Sequence, residues 1–198
     1  MRVAAVVLAA GASTRFGSPK VLARLDGRPI LEHVLDSVRD AGIPEIVVVL
    51  GHFADEIEEQ VSWLDEHIVR NPDPRHLSAS LEVGLDAAAA LEPPVDAAVI
   101  VLGDQPRTRP GVIRALVAAT RTTDRPIVAP NYADGGGPNP LLIREDAFDL
   151  ADEARGDRGL GPMLVERPEL VAWIDVSGGN PDVDTPADLA ALQAGATA

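Results

Sequence analysis

The sequence predicts an α/β fold, three-layered, with helices on both faces of a mostly parallel sheet. Three observations predict it. Uniformly apolar runs too short for buried helices recur at Val3–Leu8, Ile46–Leu50 and Ala97–Leu102, as in strands covered on both faces. Amphipathic stretches of helical period alternate with these runs, the order that builds parallel strands joined by crossover helices. The length of 198 residues suits one domain spanning residues 1–198.

Val3–Leu8 is the first strand. Pro29–Ala41 reads as a helix, with Pro29 in its first turn and Ile30, Val34, Leu35 and Val38 on one face, ended by Gly42. Ile46–Leu50 is the second strand. Ala54–Leu64 is an acidic helix that turns Ile57, Val61 and Leu64 inward. His67–Arg70 is the third strand. After the Asn71–Pro74 loop, Ser78 is placed as the cap of a helix running to about Leu91. Ala97–Leu102 is the fourth strand, Pro110–Thr120 a helix and Ile127–Pro130 a strand, and Leu141–Ile143 is expected to run counter to the others. The Gly156–Gly161 loop leads into a short helix from Pro162. Val171–Asp175 is the last strand, and Pro186 opens a terminal helix reaching about Ala194.

The charge balance limits the partners. Acidic residues number 31 against 17 basic ones, a net charge of −14, which argues against non-specific binding to nucleic acid or acidic membranes. A site for an anion on such a chain must be locally basic or carry a metal ion. No run reaches the roughly 18 apolar residues of a membrane span, and no leader with a cleavage site opens the chain. There is no cysteine, so disulfides and thiolate zinc sites are excluded. A cytoplasmic protein is the expectation. Hydrophobic residues make up 46% but aromatics only 3%, so Ala, Val and Leu must fill the core.

The stretch with the most chemistry is Leu8-Ala9-Ala10-Gly11-Ala12-Ser13-Thr14-Arg15-Phe16-Gly17-Ser18-Pro19-Lys20, directly after the first strand. Small residues let backbone approach a ligand closely, free N–H groups in such a loop can face phosphate oxygens, and Arg15 and Lys20 add full positive charge. Two familiar phosphate loops are excluded: Gly11 and Gly17 are one residue too far apart for a P-loop, and Ser18 stands where its Lys would be. Gly-x-Gly-x-x-Gly is also absent. Gly103-Asp104-Gln105-Pro106 follows the fourth strand, so Asp104 and the loop can meet at the carboxyl edge of one sheet, where ligands of open α/β sheets bind. A carboxylate there suits Mg²⁺ shared with phosphate oxygens. Ser13 lacks the His and Asp of a nucleophile motif, and His33, His52, His67 and His76 show no metal-ligand spacing. Trp63 and Trp173 read as core or interface residues.

Leu8 to Lys20 resembles, at every defined position, the signature Leu-Ala-(Ala/Gly)-Gly-x-Ser-x-Arg-(Met/Phe)-Gly-x-x-Lys of MobA-like nucleotidyltransferases, the family of molybdenum cofactor cytidylyl- and guanylyltransferases. The resemblance implies a Rossmann-like, GT-A-like nucleotidyltransferase fold and a Mg²⁺-dependent transfer that releases pyrophosphate. It implies that Leu8, Ala9, Ala10, Gly11, Asn71, Ser80 and Gly103 meet the nucleotide. Arg15 and Lys20 would bind it and act in catalysis with Asp104, and Asp104 and Asp182 would hold the metal. Asp182-Val183-Asp184-Thr185-Pro186-Ala187-Asp188-Leu189 resembles a C-terminal family segment, in which Asp184 or Thr185 is read as a helix cap. Ala10 and Gln105-Pro106 resemble the cytidylyl branch, which implies CTP as donor and molybdopterin as acceptor. One segment departs: Gly137-Pro138-Asn139-Pro140 stands where that branch has Arg-Gly-His-Pro. A guanylyltransferase, a sugar-phosphate nucleotidyltransferase and a non-catalytic nucleotide-binding protein of the same fold remain alternatives.

Overall fold

The structure is a computed structural model that describes residues 1–195. In chain order it comprises β1 (Val3–Ala9), a hairpin of β2 (Arg24–Leu25) and β3 (Arg28–Pro29), α1 (Ile30–Asp40), β4 (Glu45–Leu50), α2 (Ala54–Gln60), β5 (His67–Arg70) and α3 (Leu77–Ala89). Then follow β6 (Ala97–Leu102), α4 (Pro110–Ala119), β7 (Ile127–Tyr132), β8 (Leu141–Arg144), α5 (Gly161–Glu166), β9 (Val171–Val176) and α6 (Pro186–Gly195). The seven-stranded sheet has the order β5-β4-β1-β6-β8-β7-β9. Only β8 pairs antiparallel, with β6 and with β7, as its sequence position predicts.

All seven residues of β1 are buried, which fixes it at the centre. Its side chains alternate between two cores. Val3, Ala5, Val7 and Ala9 pack with Leu31, Leu35 and Val38 of α1 and Ile113 and Leu116 of α4. Ala4, Val6 and Leu8 pack with Leu81 and Leu85 of α3, in a core that also takes in Leu164 of α5. Each buried Val or Leu contributes roughly 1.5–3 kcal/mol. Gly84 lets α3 lie close on the sheet: a Cβ there would sit 2.3 Å from Val6 Cγ1.

Two local expectations are corrected, and two elements were not foreseen. The second helix stops at Gln60 rather than Leu64. Glu32 accepts the Ser62 N–H at 3.0 Å, and Trp63 Nε1 donates to the Glu58 carbonyl, so the polar groups that would continue the helix are taken. Leu64 is consequently 72% exposed. Ser78 does not cap α3, which starts at Leu77 after an extended His76 with no side-chain cap. The Arg24–Pro29 hairpin and the 3₁₀ stretch Glu145–Glu153 were not foreseen. The hairpin had a signal in Asp26-Gly27, whose φ angles of +51° and +83° are those of a two-residue turn. Its Leu25 joins Ile30 and Val183 in a small third cluster, which anchors the C-terminal segment beside the carboxyl ends of β1 and β6.

Candidate active site

The loop after β1 is folded on itself by Ser13, a non-glycine residue at φ +51°. Its carbonyl accepts the N–H groups of Phe16 and Gly17 at 3.0 and 3.1 Å, and its hydroxyl accepts that of Lys20 at 3.0 Å. Among the described residues no acceptor takes the N–H groups of Ala12 to Arg15, which leaves them able to meet an anion. Lys20 enters on a single 3₁₀ turn and is 16% exposed. Its ammonium pairs with Asp104 Oδ2 and with Asp184 Oδ1 at 2.8 Å, while the exposed Arg15 reaches Asp184 Oδ2 at 2.9 Å.

Asp104 lies just beyond β6. Asp182 and Asp184 come from the C-terminal segment, which the Val183 N–H fixes by donating to the Asp104 carbonyl at 3.0 Å. Burial alone would lower the Lys20 pKa, but Asp104 and then Asp184 outweigh it and hold it above its ordinary value. The hydrogen bond from Lys20 holds Asp184 below the usual carboxylate range, against its burial. Asp182 goes the other way. Partial desolvation and the neighbouring Asp104 charge raise its pKa, despite a hydrogen bond from Gln105 Nε2 at 2.5 Å.

These groups surround a cleft of about 460 Å³. Leu8, Ala9, Ala10, Gly11, Arg15, Lys20, Ser80, Asp104 and Asp182 all line it, with Asp184, Asp157 and the Pro74–Leu77 turn. Asn71 and Gly103 lie behind the wall. The buried Asn71 amide donates to Ser80 Oγ at 3.1 Å and accepts the Asp73 N–H, so it shapes the rim from inside. Gly103 packs under the loop, where a Cβ would be 3.0 Å from the Leu8 carbonyl. Sequence reasoning missed Gly51, whose absent Cβ would sit 2.6 Å from the Ala10 carbonyl and 2.7 Å from Pro74 Cβ. It also gave Asp184 or Thr185 the cap of α6. Thr185 and Asp188 form that cap together: Asp188 accepts the N–H groups of Asp184 and Thr185 and the Thr185 hydroxyl, and Thr185 Oγ accepts the Asp188 N–H. The Thr185-x-x-Asp188 spacing was the available signal, and it leaves the Asp184 carboxylate to the cleft.

Comparison with known proteins decides the family. Residues 5–170 match the MobA-like NTP transferase domain. The chain belongs to that nucleotidyltransferase family. "Bifunctional protein GlmU" of Paracidovorax citrulli is 42% identical over 186 residues, 85% of this chain and 38% of its own length. A protein of the same name from Desulfitobacterium hafniense is 39% identical over 120 residues, 58% of this chain and 24% of its own length. This MobA-like chain thus spans well under half the length of those curated relatives. Among solved structures, Rv0371c of Mycobacterium tuberculosis superposes with a TM-score of 0.85 at 30% identity, covering 98% of both chains. A manganese complex of Rv0371c superposes at 0.83, with 28% identity over 98% of this chain and 99% of that one.

The residues present in this MobA-like cleft fit a divalent ion. Asp104 Oδ1 is buried with no hydrogen-bond partner, an orphan acceptor of the kind a cation satisfies. Asp104 and Asp184 already share one cation in the Lys20 ammonium. Among the described residues no three His, Cys, Asp or Glu side chains form a cage by themselves. The Asp104 and Asp182 carboxylates lining one cleft suit a divalent ion shared with substrate phosphates.

Proposed function

We propose that this chain is a divalent-metal-dependent nucleotidyltransferase, using Mg²⁺, that moves CMP from CTP to molybdopterin and releases pyrophosphate. A phosphate oxygen of the acceptor forms a bond to the α-phosphorus, and the bond from that phosphorus to the β-phosphate bridging oxygen breaks. No protein nucleophile is required; the residues position the reactants and balance charge. Leu8, Ala9, Ala10, Gly11 and Ser80 border the base and sugar, supported from behind by Asn71 and Gly103. The N–H groups after Gly11, with Arg15 and Lys20, hold the phosphates. Asp104 and Asp182 hold the metal, while Asp184 stays paired with Lys20 and Arg15 beside them. When bound, such an ion neutralises phosphate charge as it develops.

The observation that carries this reading is Lys20 paired to both Asp104 and Asp184 in the same cleft that the Leu8–Arg15 loop also lines. CTP rests on Ala10 and Gln105-Pro106 resembling the cytidylyl branch. The acceptor has a second reading, a sugar phosphate, favoured by the Gly137-Pro138-Asn139-Pro140 segment, which lacks the Arg and His of that branch. Pyrophosphate release across the four triphosphates, each with molybdopterin or a panel of sugar phosphates, tests both. Release with CTP and molybdopterin supports the first reading. Release only with a sugar phosphate replaces the acceptor, and no release with any pair overturns the activity.

A further inference from the structure

A buried polar chain of Gln105, Thr108 and Asn180, none of them placed at the metal above, runs from Asp182 to the Gly137–Pro140 segment. Gln105 is 1% exposed, Thr108 2% and Asn180 4%. Gln105 Nε2 donates to Asp182 Oδ1 at 2.5 Å. Gln105 Oε1 accepts from Asn180 Nδ2 at 2.9 Å. The same Nδ2 lies 3.2 Å from both Thr108 Oγ1 and the Asn139 carbonyl. Matched apolar side chains of the same shape can replace a buried hydrogen-bonded pair at little cost. This chain, however, ends on a charged group in the cleft wall.

The geometry at Asp182 is specific. Among the described residues, Gln105 supplies the hydrogen bond to this carboxylate, and it does so at Oδ1. The amide therefore sets the rotation of the carboxylate and leaves its second oxygen for the cleft. Gln105 is itself held by Asn180, so the orientation of Asp182 is referred back to the backbone at Asn139. Pro138 and Asn139 line a small apolar recess of about 50 Å³, which shares Leu8, Leu77 and Leu102 with the main cleft.

We propose that Gln105 is a positioning residue for the divalent ion, acting through Asp182, and that Asn180 ties this carboxylate to the Asn139 segment beside the cleft. The inference rests on the nucleotidyltransferase reading. Its test is Mn²⁺ affinity in the presence of CTP, read from water-proton relaxation, which needs no turnover. Gln105→Leu keeps the volume and removes both hydrogen bonds; Gln105→Asn keeps an amide too short to span from Asn180 to Asp182. Both variants are expected to weaken Mn²⁺ binding about tenfold, the usual cost of removing the partner that orients a ligand. In an Asp182→Ala background the same changes are expected to do nothing further. Thermal unfolding by circular dichroism identifies which variants fold, and either one suffices. A folded Gln105 variant with wild-type Mn²⁺ affinity overturns the proposal, as does an equal loss in the Asp182→Ala background. If Asp104→Ala and Asp182→Ala also bind Mn²⁺ as tightly as the wild type, the metal reading falls with it. A loss in those two without one in Gln105→Leu overturns this inference alone.

Discussion

Lys20 holds together the charges that a substrate would have to separate. Without it, Asp104 and Asp184 lose the cation they share, and like-charged carboxylates at close range repel. Lys20→Ala is expected to lower pyrophosphate release by about a hundred- to a thousandfold. The same variant should gain more Tm from added Mg²⁺ than the wild type does, because the ion no longer competes with the ammonium; differential scanning fluorimetry reads this directly. Asp184 gives a pH signature. A carboxyl whose pKa falls on folding contributes stability that is full above its ordinary value of 3.8 and fades as the pH drops through the depressed folded value. Asp184→Asn should therefore lower Tm at neutral pH, with the gap to the wild type closing below 3.8. Lys20 and Asp104 were legible because each belongs to a compact motif at a strand end. The partnership of Lys20 with Asp184, 164 positions apart, was not, because no local pattern encodes which distant carboxylate a cation meets. The cap of α6 was legible in part: Thr185 was one of the two residues expected to cap it, but the capping box with Asp188 was overlooked.

At the scale of elements, the cleft depends on how its walls are pinned. Val183 is fully buried against Leu25 and Ile30, and its N–H bonds the Asp104 carbonyl. One apolar side chain thus fixes the carboxylates on either side of it. Val183→Ala leaves a cavity and is expected to cost roughly 2 kcal/mol in urea unfolding. It should also weaken nucleotide binding measured by calorimetry, although Val183 is no part of the cleft lining. A stability loss with unchanged nucleotide affinity would show that the segment is held by other contacts. Apolar runs and helical periodicity gave the strands and most helices, because burial on both sheet faces leaves a strong pattern. Element ends were less legible: α2 stops where the Glu32 side chain from a different helix takes the Ser62 N–H. The Arg24–Pro29 hairpin had only two-residue strands, too short for periodicity to register.

Over the whole molecule, the parallel pairing of β1 with β6 brings two loops far apart in sequence to one edge of the sheet. The expectation that the cationic loop and Asp104 face one crevice came from both following strands of a parallel sheet, and the sheet order makes those two strands neighbours. Base and acceptor choice are less legible, since they depend on a few side chains around a common frame. The net charge of −14 makes the cationic loop a local exception on an acidic surface, so a triphosphate is expected to bind best with its own divalent ion. Among the described residues no helix is long and apolar enough to cross a membrane. The most direct measurement is a crystal structure of this chain with CTP and Mn²⁺. The expected result is one triphosphate gripped by Arg15 and Lys20 and by an ion on Asp104, with the Lys20–Asp104 pair opened to admit it. A nucleotide bound elsewhere, or within the cleft with that pair intact and no ion on Asp104, would contradict it.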